Sequence, residues 1–234
     1  LENILGFIHI GNLGRGKEIF FDQIDLIKSS GLYSKTKRIY VGVAGRGLDF
    51  CFIDPKITLL SHDPVLTNGE CLLLKSMHKH CQTCEPAKIW YIHTKGASVI
   101  DPKNQLYHNQ NAWRDYMQYF IIENHGDCIE ALNEFDICGV EYMKLYKYFI
   151  GNFWWANSDY IKKIKNPMTK IFKEPMRNRL FVHPLRYLAE FDFIGKGDPK
   201  AKSFHTFGKL MYDYKIPKRS YMKNEKPINQ IKLI

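Results

Sequence analysis

What most constrains this chain is the way its hydrophobic periodicity switches back and forth through the first half. ILGFIHI (Ile4–Ile10) is a continuous apolar run of strand length that ends in the glycine-rich GNLGRG. EIFFDQIDLIKSSG (Glu18–Gly31) spaces its apolar residues by three and four and stops on a glycine, which predicts a helix. RIYVGVAG (Arg38–Gly45) and KITLLSH (Lys56–His62) predict two further strands. NGECLLLKSMHKHC (Asn68–Cys81) predicts a helix and KIWYIHTKG (Lys88–Gly96) another strand. Strands this apolar, separated by helices, predict an α/β fold whose central sheet is mostly parallel and covered by helices on both faces.

The second half continues the pattern less regularly. A polar loop, Ala97 to Asn111, precedes a long amphipathic helix at Ala112–Phe135 with an interruption expected at Asn124–Asp127. DICGVEYM (Asp136–Met143) reads as a strand, NSDYIKKI (Asn157–Ile164) as a helix capped by Asn157 or Ser158, and HPLRYLAEFDFIG (His183–Gly195) as a helix. The expected organisation is one domain over residues 1–214, followed by a basic, apolar-poor and peripheral extension over 215–234.

The composition, 45% hydrophobic and 25% charged, is that of a globular protein rather than a disordered one. The net charge of +10 favours phosphate-bearing or polyanionic partners without choosing among them. A nucleic-acid module ranks last, because the basic residues are scattered and no specific nucleic-acid motif stands out. No apolar run is long enough to span a membrane, and no signal-peptide pattern opens the chain. Its cysteines, Cys51, Cys71, Cys81, Cys84, Cys128 and Cys138, mostly sit inside apolar periodic segments, which predicts reduced thiols and a cytoplasmic location.

In open α/β sheets, ligands bind where loops leave the carboxyl ends of the strands. Here those loops are HIGNLGRG, VAGRG, SHDP, HTKGAS and the segment entering GNFWW. GNLGRGKE approaches a P-loop, but Glu18 stands where a magnesium-holding Ser or Thr is needed. HKHCQTC (His78–Cys84) lacks the second ligand pair of a structural zinc site, so no metal site is expected there. In YIHTKGAS, Lys95 offers a point charge to a phosphate and Gly96 permits close backbone approach. In AEFD, Glu190 and Asp192 fall on different faces of a helix near His183 and Arg186, so one is a candidate base and the other structural. His205, in SFHTFG, reads on its own as a partly buried histidine.

Taken in order, YIHTKGAS, AWRDYMQYF, EFDICGVEY, GNFWWANSDYI, LRYLAEFDFIG and SFHTFGKLMYDYKIP resemble a family of glycosyltransferase-like domains found in bacteria, eukaryotes and large DNA viruses. The resemblance covers about residues 88–221, and GNFWWA is its most specific element. It implies a GT-A fold, a Rossmann-like sheet that binds a sugar nucleotide, with residues 1–110 as the nucleotide half and 111–214 as the acceptor half. His93-Thr94-Lys95 would stand where most GT-A enzymes carry an Asp-x-Asp metal motif.

The implied activity is a hexosyltransferase-like transfer from a nucleotide-diphosphate sugar, UDP-sugar favoured over GDP-sugar, to a hydroxyl of a glycan or glycoprotein. The implied mechanism is inverting, with Glu190 as base. His9, Gly11, Asn12, Asp63, His93, Thr94, Lys95, Gly96 and His205 would bind the donor. Gly151, Asn152, Trp154, Trp155 and Arg114 would face the sugar or acceptor, with an indole stacked on a pyranose face. Magnesium or manganese is disfavoured because the paired carboxylates are missing, although His205 falls where such enzymes often place a metal-binding histidine. The competing expectation is a carbohydrate-binding scaffold of the same fold without turnover.

Overall fold

The computed structural model describes residues 2–47, 52–165, 167, 184–208 and 211–222. Cys51, His183 and the last part of the basic extension, 223–234, lie outside them.

The periodic first half forms β1 (Ile4–Gly11), α1 (Gly16–Ser29), a short α2 (Leu32–Lys35), β2 (Arg38–Ala44), β3 (Ile57–Asp63), α3 (Cys71–Thr83) and β4 (Lys88–His93). The second half adds α4 (Gln105–Gln118), α5 (His125–Ala131), β5 (Ile137–Gly139), a hairpin of β6 (Tyr142–Met143) and β7 (Tyr148–Phe149), β8 (Trp154–Asn157), α6 (Ser158–Lys163), α7 (Pro184–Phe191) and β9 (Ala201–Ser203).

A seven-stranded sheet runs in the order β3-β2-β1-β4-β8-β5-β9. β1 pairs in parallel with β2 on one side and β4 on the other, and β2 pairs in parallel with β3. β8 alone is reversed, antiparallel to both β4 and β5, and β9 pairs in parallel with β5. The expected α/β architecture, mostly parallel with helices on both faces, is therefore what the chain adopts.

Side chains of β1 alternate between the two cores because both faces are covered. Ile4, Ile8 and Ile10 pack with α1 and α4 residues Phe20, Ile24, Ile27, Tyr116 and Met117. Leu5 and Phe7 pack with Leu74, Met77 and Cys81 of α3, Ile161 of α6 and Ala189 of α7.

GNFWWA is resolved by the same physics. Its three aromatics do not alternate with polar residues because β8 is an interior strand of the sheet, with no face left for water. Trp155 enters the α1/α4 core and Trp154 the α3/α7 core, opposite Trp90 and Tyr91 of β4. What reads as an irregular loop is a turn, Gly151–Phe153, followed by a doubly buried strand.

Two boundaries and one helix cap differ from expectation. The stretch Gln105–Asn111 is the start of α4 rather than loop, because Asn104 caps it with Oδ1 accepting from the Leu106 N–H at 2.9 Å. The expected break in the long helix is present as a π-helical turn, Tyr119–Glu123, closed by Asn124, whose backbone and side-chain N–H groups both donate to the Tyr119 carbonyl. Asn157 and Ser158 make no side-chain cap on α6. Asn157 donates to the Leu132 and Phe135 carbonyls, and the Ser158 hydroxyl accepts from Ala87.

The extension is also less peripheral than its charge implied. Ile216 and Tyr221 are buried, with the Tyr221 ring 5.1 Å from Tyr116 and 5.4 Å from Tyr119. Among the described residues no helix is long and apolar enough to cross a membrane.

Candidate functional site

The chain lays down β1, β2 and β3 outward in one direction and then returns to place β4 on the opposite side of β1. The loops after β1 and β4 consequently leave in opposite directions and open a crevice between them, the switch point at which such sheets bind ligands. A cavity of about 280 Å³ lies there, at the lower end of the range for small-molecule sites. His9 and Gly11 line it from β1, and His93 to Ser98 line it from β4 and its loop. Leu66, Thr67, Gly69 and Glu70 close it from the segment before α3.

Local hydrogen bonds explain why the crevice keeps its shape. The Thr94 hydroxyl accepts from the Gly11 N–H at 3.0 Å, and the Thr94 N–H donates to the His9 carbonyl at 3.0 Å, so the two strand ends are tied together. Arg114 of α4 donates to the Lys95 carbonyl at 2.8 Å and to Asn111 at 3.0 Å. It braces the β4 loop from behind, its guanidinium spent on these two acceptors. Gly96 has φ +86°, and the Lys95 ammonium lies 3.5 Å from the Trp113 ring centroid, a cation–π contact.

Glu70 is the carboxylate of this cavity. It precedes α3 on the stripe that continues through Leu74, Met77 and Cys81, all buried, so the helix turns it inward. Its Oε2 accepts from the Tyr91 hydroxyl at 2.5 Å and from Asn152 Nδ2 at 2.6 Å. Asn152 is fixed in turn, because its Oδ1 accepts from Trp154 Nε1 at 2.8 Å. Burial pushes the Glu70 carboxyl up, but the neighbouring His93 and His9 and the two hydrogen bonds outweigh it and hold the group below the usual carboxylate value. Burial depresses His9 to about 4, against the pull of Glu70, so its imidazole is neutral at physiological pH.

The Gly151–Asn152 turn connects this cavity to α7. His93 Nε2 donates to the Gly151 carbonyl at 2.9 Å, and the Gly151 N–H donates to Glu190 Oε1 at 2.7 Å. Gly151 has φ +92°, and a Cβ there would stand 2.5 Å from Met117 Sδ and 3.0 Å from Trp113 Nε1. A glycine is required on both counts. Glu190 is thus one residue removed from the Asn152–Glu70 contact, on the wall next to the cavity rather than among the residues that line it.

Of the residues expected to bind a donor, His9, Gly11, His93, Thr94, Lys95 and Gly96 are brought together. Three others serve the scaffold. Both Asp63 carboxylate oxygens are engaged by the Val65 N–H and the Asn68 amide. The Asn12 amide is tethered to the Arg46 and Gly47 carbonyls. His205 Nδ1 sits 2.9 Å from the Tyr116 hydroxyl, which donates to buried Glu141, and does not line the cavity.

The indole platform is also corrected. Trp154 and Trp155 are 0% exposed, and Trp155 donates to the Ile121 carbonyl at 2.9 Å, so neither presents a face to a sugar. Asn152, 3% exposed and held by Trp154 and Glu70, acts behind the cavity wall.

Glu70 is the functional candidate that the sequence motifs did not pick out. The signal was present as an acidic residue on an otherwise apolar helical stripe. Among the described residues no group of three or more His, Cys, Asp or Glu converges as a metal site.

Residues 9–211 match the model of a family described as a domain of unknown function, DUF8361, so the chain belongs to that family. No curated protein and no solved structure matches it.

Proposed function

We propose that this member of the DUF8361 family is a glycosyltransferase of the GT-A type. It moves a sugar from a nucleotide-diphosphate donor, UDP-sugar favoured, to a hydroxyl of a glycan or glycoprotein. The observation that carries the reading is the switch-point cavity, where His9, His93, Lys95 and Glu70 meet beside the Gly151 turn that Glu190 holds. A mostly parallel sheet with its crevice at the ends of β1 and β4 is compatible with a nucleotide site.

In this reading the acceptor hydroxyl attacks C1 of the donor sugar and its proton passes to the Glu190 carboxylate. The C1–O bond to the diphosphate breaks, and its electron pair leaves with the nucleoside diphosphate. Lys95 offsets the charge that develops on that leaving group. The donor set does not fit a hard divalent cation. Glu70 is the cavity's lining carboxylate, and one of its oxygens already accepts two hydrogen bonds, so no step runs through a metal.

Glu190→Gln should abolish transfer while leaving donor binding within a few-fold of wild type. Full transfer activity in that variant removes Glu190 as the base. The second reading, a sugar-binding domain without turnover, draws on His93-Thr94-Lys95 at the β4 end, where paired carboxylates would otherwise stand. It expects glycan binding with neither transfer nor hydrolysis of any nucleotide sugar.

A further inference from the structure

The Glu70 network is asymmetric, and the asymmetry says what the cavity takes. Both donors that reach Glu70, the Tyr91 hydroxyl and the Asn152 amide, are spent on Oε2. Oε1 accepts no hydrogen bond among the described residues, although Glu70 lines the cavity. Burial and Glu70 itself push the Tyr91 phenol well above its ordinary value, so it remains a protonated donor. Asn152 cannot flip, because Trp154 Nε1 is a donor only and needs the amide oxygen. The carboxylate is therefore clamped by one oxygen and presents the other.

A phosphate placed against that oxygen would bring like charges together in a partly desolvated crevice, which is unfavourable. A hydroxyl placed there gains a charge-assisted hydrogen bond. Neutral His9, lining the same end of the cavity, adds one donor and one acceptor, the complement of a second hydroxyl.

We propose that Glu70 is the specificity-determining residue of the cavity, accepting through Oε1 a hydroxyl of a sugar ring, so that a polyol and not a phosphate occupies the Glu70–His9 end. This rests on the donor-site reading and narrows it, since the sugar hydroxyls belong either to the nucleotide's ribose or to the hexose it carries. Glu70 positions and selects. The hydrogen bonds on Oε2 stabilise its ionised form, which makes it a weak proton acceptor and leaves the base role elsewhere.

Glu70→Gln tests this cleanly. The Gln oxygen takes over both hydrogen bonds from Tyr91 and Asn152, while its NH2 replaces the cavity-facing acceptor with a donor. The clamp survives and only the recognition element changes sign. Wild type and E70Q are titrated calorimetrically with UDP, UDP-glucose, GDP, GDP-mannose and methyl glucoside, with thermal unfolding run in parallel to confirm an intact fold. The expected result is a loss of about 10- to 100-fold in E70Q, the range for one hydrogen bond to a charged group. A loss seen with UDP-glucose but not with UDP assigns the hexose, and an equal loss with both assigns the ribose.

If wild type binds a nucleotide sugar and E70Q binds it equally well, the Glu70 assignment falls while the donor site stands. If only methyl glucoside binds, and E70Q weakens it, the assignment stands and the nucleotide donor falls. Absence of binding by every probe to folded wild type overturns both.

Discussion

Asn152→Asp is the sharpest perturbation of the buried network, because it replaces a single NH2 by an oxygen and leaves the shape unchanged. The Asp retains an oxygen to accept from Trp154 Nε1, but places its other oxygen where Nδ2 now lies, 2.6 Å from Glu70 Oε2. Two carboxylates this close do not both ionise freely, and in paired sites their titrations separate by about 3 pH units, worth about 4 kcal/mol. For a domain of this length, that is a fall in Tm of roughly 8–16 °C.

The sign with pH follows from the shared proton. The folded variant holds a proton that its unfolded chain has already lost above about pH 4, so the penalty grows as pH rises and levels off once that proton leaves. Thermal or urea unfolding of wild type and N152D between about pH 4 and 8 should show a gap that is small at the acid end and about 4 kcal/mol at neutrality. A gap below about 1 kcal/mol, the same at every pH, would show that Asn152 does not donate to Glu70.

Other expectations follow from the same geometry. Gly151→Ala introduces a Cβ against Met117 and Trp113 at positive φ and should cost roughly 2–4 kcal/mol in chemical unfolding, whereas a loss under about 1 kcal/mol would place the turn elsewhere. Trp155→Phe removes the donor to the Ile121 carbonyl and should lower stability by roughly 2–3 kcal/mol while leaving ligand affinity per folded molecule unchanged. An affinity loss at full stability would restore the stacking platform. His9, depressed to about 4 from an unfolded value near 6.5, contributes stability that is present above about pH 6.5 and lost as pH falls towards about 4. Imidazole nitrogen NMR should find it neutral at pH 6, and a His9 pKa above about 6 would refute its burial.

The sequence is legible at some positions of this fold and silent at others, for physical reasons. Apolar periodicity located β1 to β4 and the helices between them to within a few residues, because those strands are buried on both faces and the period changes sharply at each boundary. The strand-end rule then pointed to His9, Gly11 and His93 to Gly96, which do line one cavity. It failed where a side chain's use depends on a tertiary partner. Asp63 and Asn12 stand at strand ends like the others, but spend their polar atoms on neighbouring backbone and amide groups.

Trp154 and Trp155 were legible as aromatics but not as strand, since insertion of β8 between β4 and β5 is a topological fact that no local pattern encodes. Glu70 was missed because its meaning lies in Tyr91 and Asn152, which are 21 and 82 residues away. The extension reads as peripheral because it is basic and poor in apolar residues, yet two of the few it has, Ile216 and Tyr221, are buried, and the Tyr221 ring packs on Tyr116 and Tyr119.

The proposed occupancy of the crevice between β1 and β4 by a nucleotide sugar is open to direct measurement. Its most direct test is a histidine-resolved NMR titration of the wild-type chain with UDP-glucose, then GDP-mannose, in EDTA. Saturable shifts confined to His9 and His93, with His205 and exposed His108 unmoved, are the expected result. No saturable shift at either residue with any nucleotide sugar, or shifts centred on His205 instead, would contradict it.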